Sequence, residues 1–423
     1  MINDHFNSEF FINGITSYNY YHNKGDIVNK KRFTISKEGG RIENKILANT
    51  KMQHNFLYKL IKQKRSFLLS KPFTIDSDLE DNESNNIYMK EINDLFKKPQ
   101  RELLKSVITD SMLYGIGWIQ KYYDEYGNLN YKKIPSLEVI PIWEDSEHKL
   151  LNAVIRVYEI IRYVDDKEDK VKKIELYDRN GVWYYELDSS GALKGDSDVF
   201  TDGEIVTPYP NFYKEMPKLD AYGRILHDED GSPIYEMEGQ LFTDIPFIPI
   251  KYNNEEISLL ELLKSMIDTY DELTSVTADE LRDIQSTILA IKGYSGKNAE
   301  EFLHNLNSLR AVFLQGDGGI DSLQNVIDTT ATEALLDRTK EDIYDIGMCV
   351  NTQADNLDAA SGVALERRYR DLQLDCEDLA NEVEEAILRM IYDYLLDKMA
   401  KGEEVLEEIF FFILIACSFF NLM

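Results

Sequence analysis

Apolar residues recur at helical spacing through Phe56, Leu57, Leu60, Ile61, Phe67 and Leu68, and the run ends at Lys71-Pro72, which a helix does not easily cross. This predicts an amphipathic helix over residues 51–69. A polar stretch, 76–86, separates it from helical patterns through Met89, Ile92 and Leu95 and, after Pro99, through Leu103, Leu104, Val107, Ile108 and Leu113. Gly115 and Gly117 stop the last of these. Between Trp118 and Pro249 the period falls to two. The runs IQKYYDEYGNLNYKKI, AVIRVYEIIRYV, KIELYDRNGVWYYEL and AYGRILHDEDGSPIYEM, broken by Gly, Asp and Asn, predict antiparallel hairpins.

Beyond IPFIPI the pattern turns helical again, with no Gly or Pro from Lys251 until Gly293. Leu259, Leu263, Met266, Tyr270 and Leu273, continued by Leu281, Ile284 and Ile288, predict one helix from Ser258 to near Gln285, roughly 40 Å long. A strand-helix-strand unit follows: ILAIKGY, a short helix over 299–309, and AVFLQGDGGIDSLQNV with its Gly-rich turn. A second helix is expected over 331–350, then a loop of small and polar residues, NTQADNLDAASG. Ser361 suits the N-cap of a last helix whose apolar repeat runs through Leu365, Tyr369, Leu372, Cys376, Leu379, Val383, Ile387, Met390 and Tyr394. Its roughly 38 residues reach nearly 60 Å. The class is α+β.

A chain of 423 residues, 43% hydrophobic and 11% aromatic, is long enough and apolar enough to fold around a substantial core. Its charge is less usual: 76 acidic against 47 basic side chains leave −29. Residues 1–75 hold 13 basic and 5 acidic groups, so a basic N-terminal region precedes a strongly acidic body. Affinity for nucleic acid normally comes from Lys and Arg displacing counterions from phosphate, so a tight grip on DNA over the whole surface is not expected.

Little catalytic chemistry is spelled out. No GxxxxGK[ST] is present, so ATP hydrolysis by that route is excluded. The six histidines lack metal-ligand spacing, and Cys349, Cys376 and Cys417 form neither a CxxC nor a disulfide framework, so no cofactor or metal is indicated. Asp228-Glu229-Asp230-Gly231 falls where a turn is expected, and Asp76-Ser77-Asp78 lacks the EF-hand glycine and glutamate, having Asp81 and Ile87 in their places. Ser361 has no Gly-x-Ser-x-Gly elbow around it. The opening MINDHFNSEFF reads as no secretory signal, which implies synthesis in the cytoplasm. The apolar run of the last fifteen residues, from Ile409, is shorter than the roughly 20 that span a bilayer.

The order of long helix, strand-helix-strand insert, returning helix, loop and second long helix resembles the stem, clip, tunnel loop and wing of tailed-phage portal proteins, in the branch typical of long non-contractile tails. The segments that carry the resemblance are IPFIPIKYNN, LLKSMIDTYDELTS, ILAIKGYSG and ASGVALERRYRDLQLDCE, with YYHNKGDI, the 58–73 stretch and YGIGWIQKYYDEYGNLNYKKIPSLEVIPIW before them. They cover residues 18–399 as an ordered set.

That resemblance implies an α/β wing over 1–257, a first stem helix over 258–287, a clip over 288–330, a second stem helix over 331–350, a tunnel loop over 351–362 and a long kinked wing helix over 363–400. Residues 401–423 would be a short, altered or absent crown. It implies a non-enzymatic ring of roughly twelve copies at one capsid vertex of the virion, assembled in the host cytoplasm. The expected partners are the terminase, the head-tail adaptor, the major capsid protein with its scaffold, and double-stranded DNA passing without tight binding. In the tunnel loop, Asn351, Thr352, Gln353, Asp355, Asn356 and Asp358 would face DNA, and in the clip Lys292, Asn298, His304 and Arg310 would face terminase and adaptor. Two other readings fit parts of the pattern: a carboxylate-dependent phage hydrolase, from the hairpins and abundant acids, and a membrane-anchored adaptor, from the apolar end.

Overall fold

The computed structural model describes residues 1–35, 41–45, 48–69, 75–77, 83–164, 167–187, 191–201, 204–220, 222, 224–228, 230–283, 288–291, 320–323, 329–353, 362–402 and 413–414. Their helices are α1 (Ile2–Phe6), α2 (Glu9–Tyr21), α3 (Phe56–Leu68), α4 (Glu83–Leu95), α5 (Lys98–Tyr114), α6 (Leu259–Asp283), α7 (Thr329–Ile346) and α8 (Gly362–Ala400). The strands begin with the hairpin β1 (Phe33–Ile35) and β2 (Arg41–Glu43) and the short β3 (Asp76–Ser77). Then come β4 (Ile116–Tyr123), β5 (Leu129–Ile134), β6 (Val139–Trp143), β7 (Leu151–Val164), β8 (Lys167–Asp178), β9 (Gly181–Leu187) and β10 (Leu193–Gly195). The last are β11 (Phe212–Pro217), β12 (Tyr235–Gln240), β13 (Phe247–Lys251), β14 (Ile288–Ile291), β15 (Ile320–Leu323) and β16 (Ile413–Leu414). Helices and antiparallel sheets occupy separate stretches of chain, which is the expected α+β class.

Contacts divide the chain into two compact units. The first is Met1–His22, Phe56–Leu262 and Ile346–Met423, and the second Asn23–Asn55 with Leu263–Asp345. In the first, β13, β4 and β5 form one antiparallel sheet, and β10, β9, β8, β7 and β6 form another in that order. Trp118, fully buried, joins the two: its ring stacks 5.9 Å from Trp143 and meets Phe247 edge-on at 6.4 Å. Ile116, Ile134, Val139, Val154, Tyr177 and Val182 complete that core.

Turn chemistry sets the hairpins, and the same device recurs. Asp124 accepts from the backbone N–H of Tyr126 and Asn128, Asp220 from those of Tyr222 and Arg224, and Asp228 from those of Asp230 and Ser232, at 2.8–3.0 Å. The Asp228 cluster is thus a turn, as its sequence predicts. Gly115 ends α5 in the left-handed region at φ 85°, and a Cβ there would lie 1.9 Å from the Glu256 carbonyl oxygen, so only glycine fits.

Helix α3 starts at Phe56, five residues later than the pattern predicts, because the N–H groups of Met52 and His54 bond to Ser275 and Asp271 instead of joining a helical turn. Helix α7 covers Thr329–Ile346 instead of 331–350, and α8 begins at Gly362, the residue after the expected cap. At the apolar end, Ile413 and Leu414 pair with Ser77 and Asp76. No helix among the described residues is long and apolar enough to cross a membrane.

Candidate functional site

The loop expected to face DNA begins in a well-fixed corner of the first unit. Gln63, on α3, holds Val350 at both backbone groups: its Nε2 donates to the Val350 carbonyl at 3.1 Å, and its Oε1 accepts the Val350 N–H at 3.2 Å. Val350 is buried against Leu372 and Cys376 of α8, with Cys349, Phe67 and Tyr369 packed around them. Beneath this cluster Lys64, wholly buried, donates to Asp375 at 2.6 Å, and the Tyr252 hydroxyl donates to the other oxygen of the same carboxylate at 3.0 Å. Burial, and then the neighbouring Asp375 charge, raise Tyr252 well above its ordinary pKa. Burial pushes the thiols of Cys349 and Cys376 up to about 11 and about 12, so both stay protonated at neutral pH.

Past this anchor the chain turns outward. Asn351 Oδ1 accepts the Gln353 N–H at 3.2 Å, which starts the loop with a side-chain turn, and Thr352 and Gln353 are exposed. Asn351, Thr352 and Gln353 therefore come together on one short turn. Asp355, Asn356 and Asp358 lie outside the described residues, as do Lys292, Asn298, His304 and Arg310 of the expected clip. What is described of that clip is the antiparallel pair β14–β15, registered from Ile288↔Leu323 to Ile291↔Ile320.

In the second unit, an extended segment is zipped along α6. The N–H groups of Thr50, Met52 and His54 donate to Asp279 Oδ1, Ser275 Oγ and Asp271 Oδ1 at 2.6, 2.9 and 2.9 Å. Alternate residues of an extended chain lie about 6.8 Å apart, and helix positions four apart lie about 6.0 Å apart, so three successive contacts stay in step. Asp271, Ser275 and Asp279 are all buried beneath this strap. Burial opposes ionisation of Asp279, yet the Thr50 N–H and the cations Lys30 and Arg32 hold its carboxyl below the ordinary value.

Sequence reasoning missed both devices. Lys64 carried a signal, since it occupies a core position of the stripe Leu57, Leu60, Ile61 and Leu68. The strap carried none, because Asp271, Ser275 and Asp279 look like one solvated face of a helix.

The described residues thus show the strand pair β14–β15 between α6 and α7, and the 39-residue α8 packed on β13. The chain belongs to the family of phage portal proteins described as SPP1 Gp6-like, whose model matches residues 4–395. The portal protein of Bacillus phage SPP1 is 27% identical over 393 residues, covering 93% of this chain and 70% of that protein. The portal protein of Clostridium phage phiCD119, of a Clostridium difficile strain, is 26% identical over 386 residues, covering 88% of this chain and 76% of that one.

Proposed function

We propose that this chain is the subunit of a closed ring of roughly twelve copies that forms the DNA channel at one capsid vertex, receiving the terminase during packaging and the head-tail adaptor afterwards. The observation that carries the reading is family membership over nearly the whole length, 4–395. In this reading α6 and α7 line the stem, 288–330 is the clip, 351–362 narrows the channel, and 1–257 with 363–400 forms the wing inside the shell. Assembly takes place in the host cytoplasm and the ring is carried into the virion, with the major capsid protein and scaffold around it.

The charge supports transport without retention. A channel that passes any sequence works best if it offers phosphate few ion pairs, and a chain of net −29 offers few. Close contact falls to neutral donors such as Gln353, exposed on the turn that begins the loop. The purified protein should appear in negative-stain microscopy as rings with an axial hole; a monodisperse monomer under all assembly conditions overturns the proposal. Substitutions at Asn298, His304 and Arg310 should leave rings intact and abolish terminase or adaptor binding.

A further inference from the structure

Strands β11 and β12 form a two-stranded ribbon whose two faces differ. Directly paired residues share a face, so the register places Tyr213, Pro217, Tyr235 and Met237 on one side with Glu215. The opposite side rests on the protein's own surface: Phe212 packs 4.2 Å from Tyr123, and Lys214 donates to the Ala400 carbonyl at the end of α8, at 2.5 Å. Pro210 lies against Gly239 at one end of the apolar side, while Tyr213, Tyr235 and Met237 remain 54%, 52% and 63% exposed. A lone two-stranded ribbon is marginal in water without fuller cover. Beside it runs a groove of about 800 Å³, lined by Tyr126, Tyr213, Met237 and Leu241. The exposed carboxylates of Glu125 and Glu215 at its rim make no hydrogen bond or ion pair among the described residues.

Residues 211–241 carry 7 acidic and 3 basic side chains, whereas 23–55 carry 8 basic and 3 acidic ones. The hairpin β1–β2 within the basic segment also exposes apolar groups, Phe33 at 42% and Ile42 at 52%, with the Arg41 guanidinium 4.2 Å over the Phe33 ring. A head-to-tail ring needs two different patches that complement each other, one on each side of every copy. We infer that the apolar, acid-rimmed face of the β11–β12 ribbon docks the basic β1–β2 hairpin of a second copy of this chain. The inference rests on the ring proposed above and assigns one contact within it. Phe33 supplies the apolar insert on the face it shares with Arg41, Ile42 lies on the other face, and Arg41 and Lys45 meet Glu125 and Glu215 at the rim.

The test uses full-length protein, prepared unlabelled and ¹⁵N-labelled and mixed before assembly. A zero-length carbodiimide should join carboxylates of 212–240 to lysines of 24–45 in mixed-isotope pairs. Glu125→Lys with Glu215→Lys should lower the ring population in mass photometry at least tenfold with an unchanged circular dichroism spectrum, and adding Arg41→Glu and Lys45→Glu should restore it. Rings that form normally in the first variant, or mixed pairs that join the ribbon elsewhere, overturn the docking and leave the face for a shell protein. A wild type that forms no ring defeats the ring reading itself.

Discussion

The Lys64–Asp375 pair sets a buried charge beneath the residues that lead into 351–353. Lys64 has no exposed surface, so the carboxylate that faces it cannot be replaced by water. Asp375→Ala should lower the unfolding free energy by about 3–5 kcal/mol in a urea titration of the monomer, since it strands an ammonium in the core. Lys64→Met combined with Asp375→Leu should recover most of that loss, because an apolar pair of similar volume leaves no charge unpaired. A second buried carboxyl gives a pH signature. Burial raises Asp393 from 3.8 to about 6, against the opposing pull of Lys121, whose Nζ lies 2.6 Å away. The folded state therefore binds this proton more tightly than the unfolded state between about pH 4 and 6, and stability falls as pH rises through that window. Asp393→Asn should remove the decline: the stability of wild type minus variant should drop by up to about 1.4 kcal/mol per pH unit from pH 4 to 6 and be flat above 7. A pH-independent difference would falsify the assignment.

At the scale of elements, the strap on α6 is held by polar bonds more than by apolar contact. Removing one acceptor leaves the part-buried Met52 N–H without its protein partner, at a cost of about 1 kcal/mol. Ser275→Ala should accordingly speed amide exchange at Met52 and its neighbours in hydrogen-deuterium mass spectrometry while leaving β4 and β8 protected; uniform loss of protection would mean that the strap is not a separate unit. The helices and hairpins were legible in the chain because burial imposes a period, 3.6 for α5 and α8 and two for β7 and β8. The strap was not, because an extended segment held by its backbone writes nothing into its own side chains. Residues 51–55 accordingly read as the first turn of α3, with Lys51 and Met52 acceptable to a helix. The hairpin turns were legible for the opposite reason: Asp four residues ahead of the N–H it accepts is a local signal, as at Asp124, Asp220 and Asp228.

At the scale of the whole molecule, the family was carried by the order of segments, while the candidate loop was legible only as a place. Asn351, Thr352 and Gln353 emerge on a turn as expected, but the anchor that aims them, Gln63 on Val350, joins residues 287 apart and leaves no pattern along the chain. The proposed channel makes a charge prediction. Asp355→Lys with Asp358→Lys should keep the ring and slow DNA translocation in a packaging assay, with the defect easing as salt rises, since added cations hold phosphate through screenable attraction. Packaging at the normal rate in low salt would remove these residues from the channel wall.

The strap also imposes a timetable on synthesis. Its donors at Thr50, Met52 and His54 find their acceptors 229, 223 and 217 residues later in the chain. At the roughly 5–20 residues per second of translation, the segment waits on the order of ten seconds or more outside the ribosome before α6 arrives to receive it. During that interval its N–H groups have only water for partners. Completion of α6 is thus the moment at which this stretch of backbone gains its acceptors, and a chain that stalls before residue 271 would leave it without them.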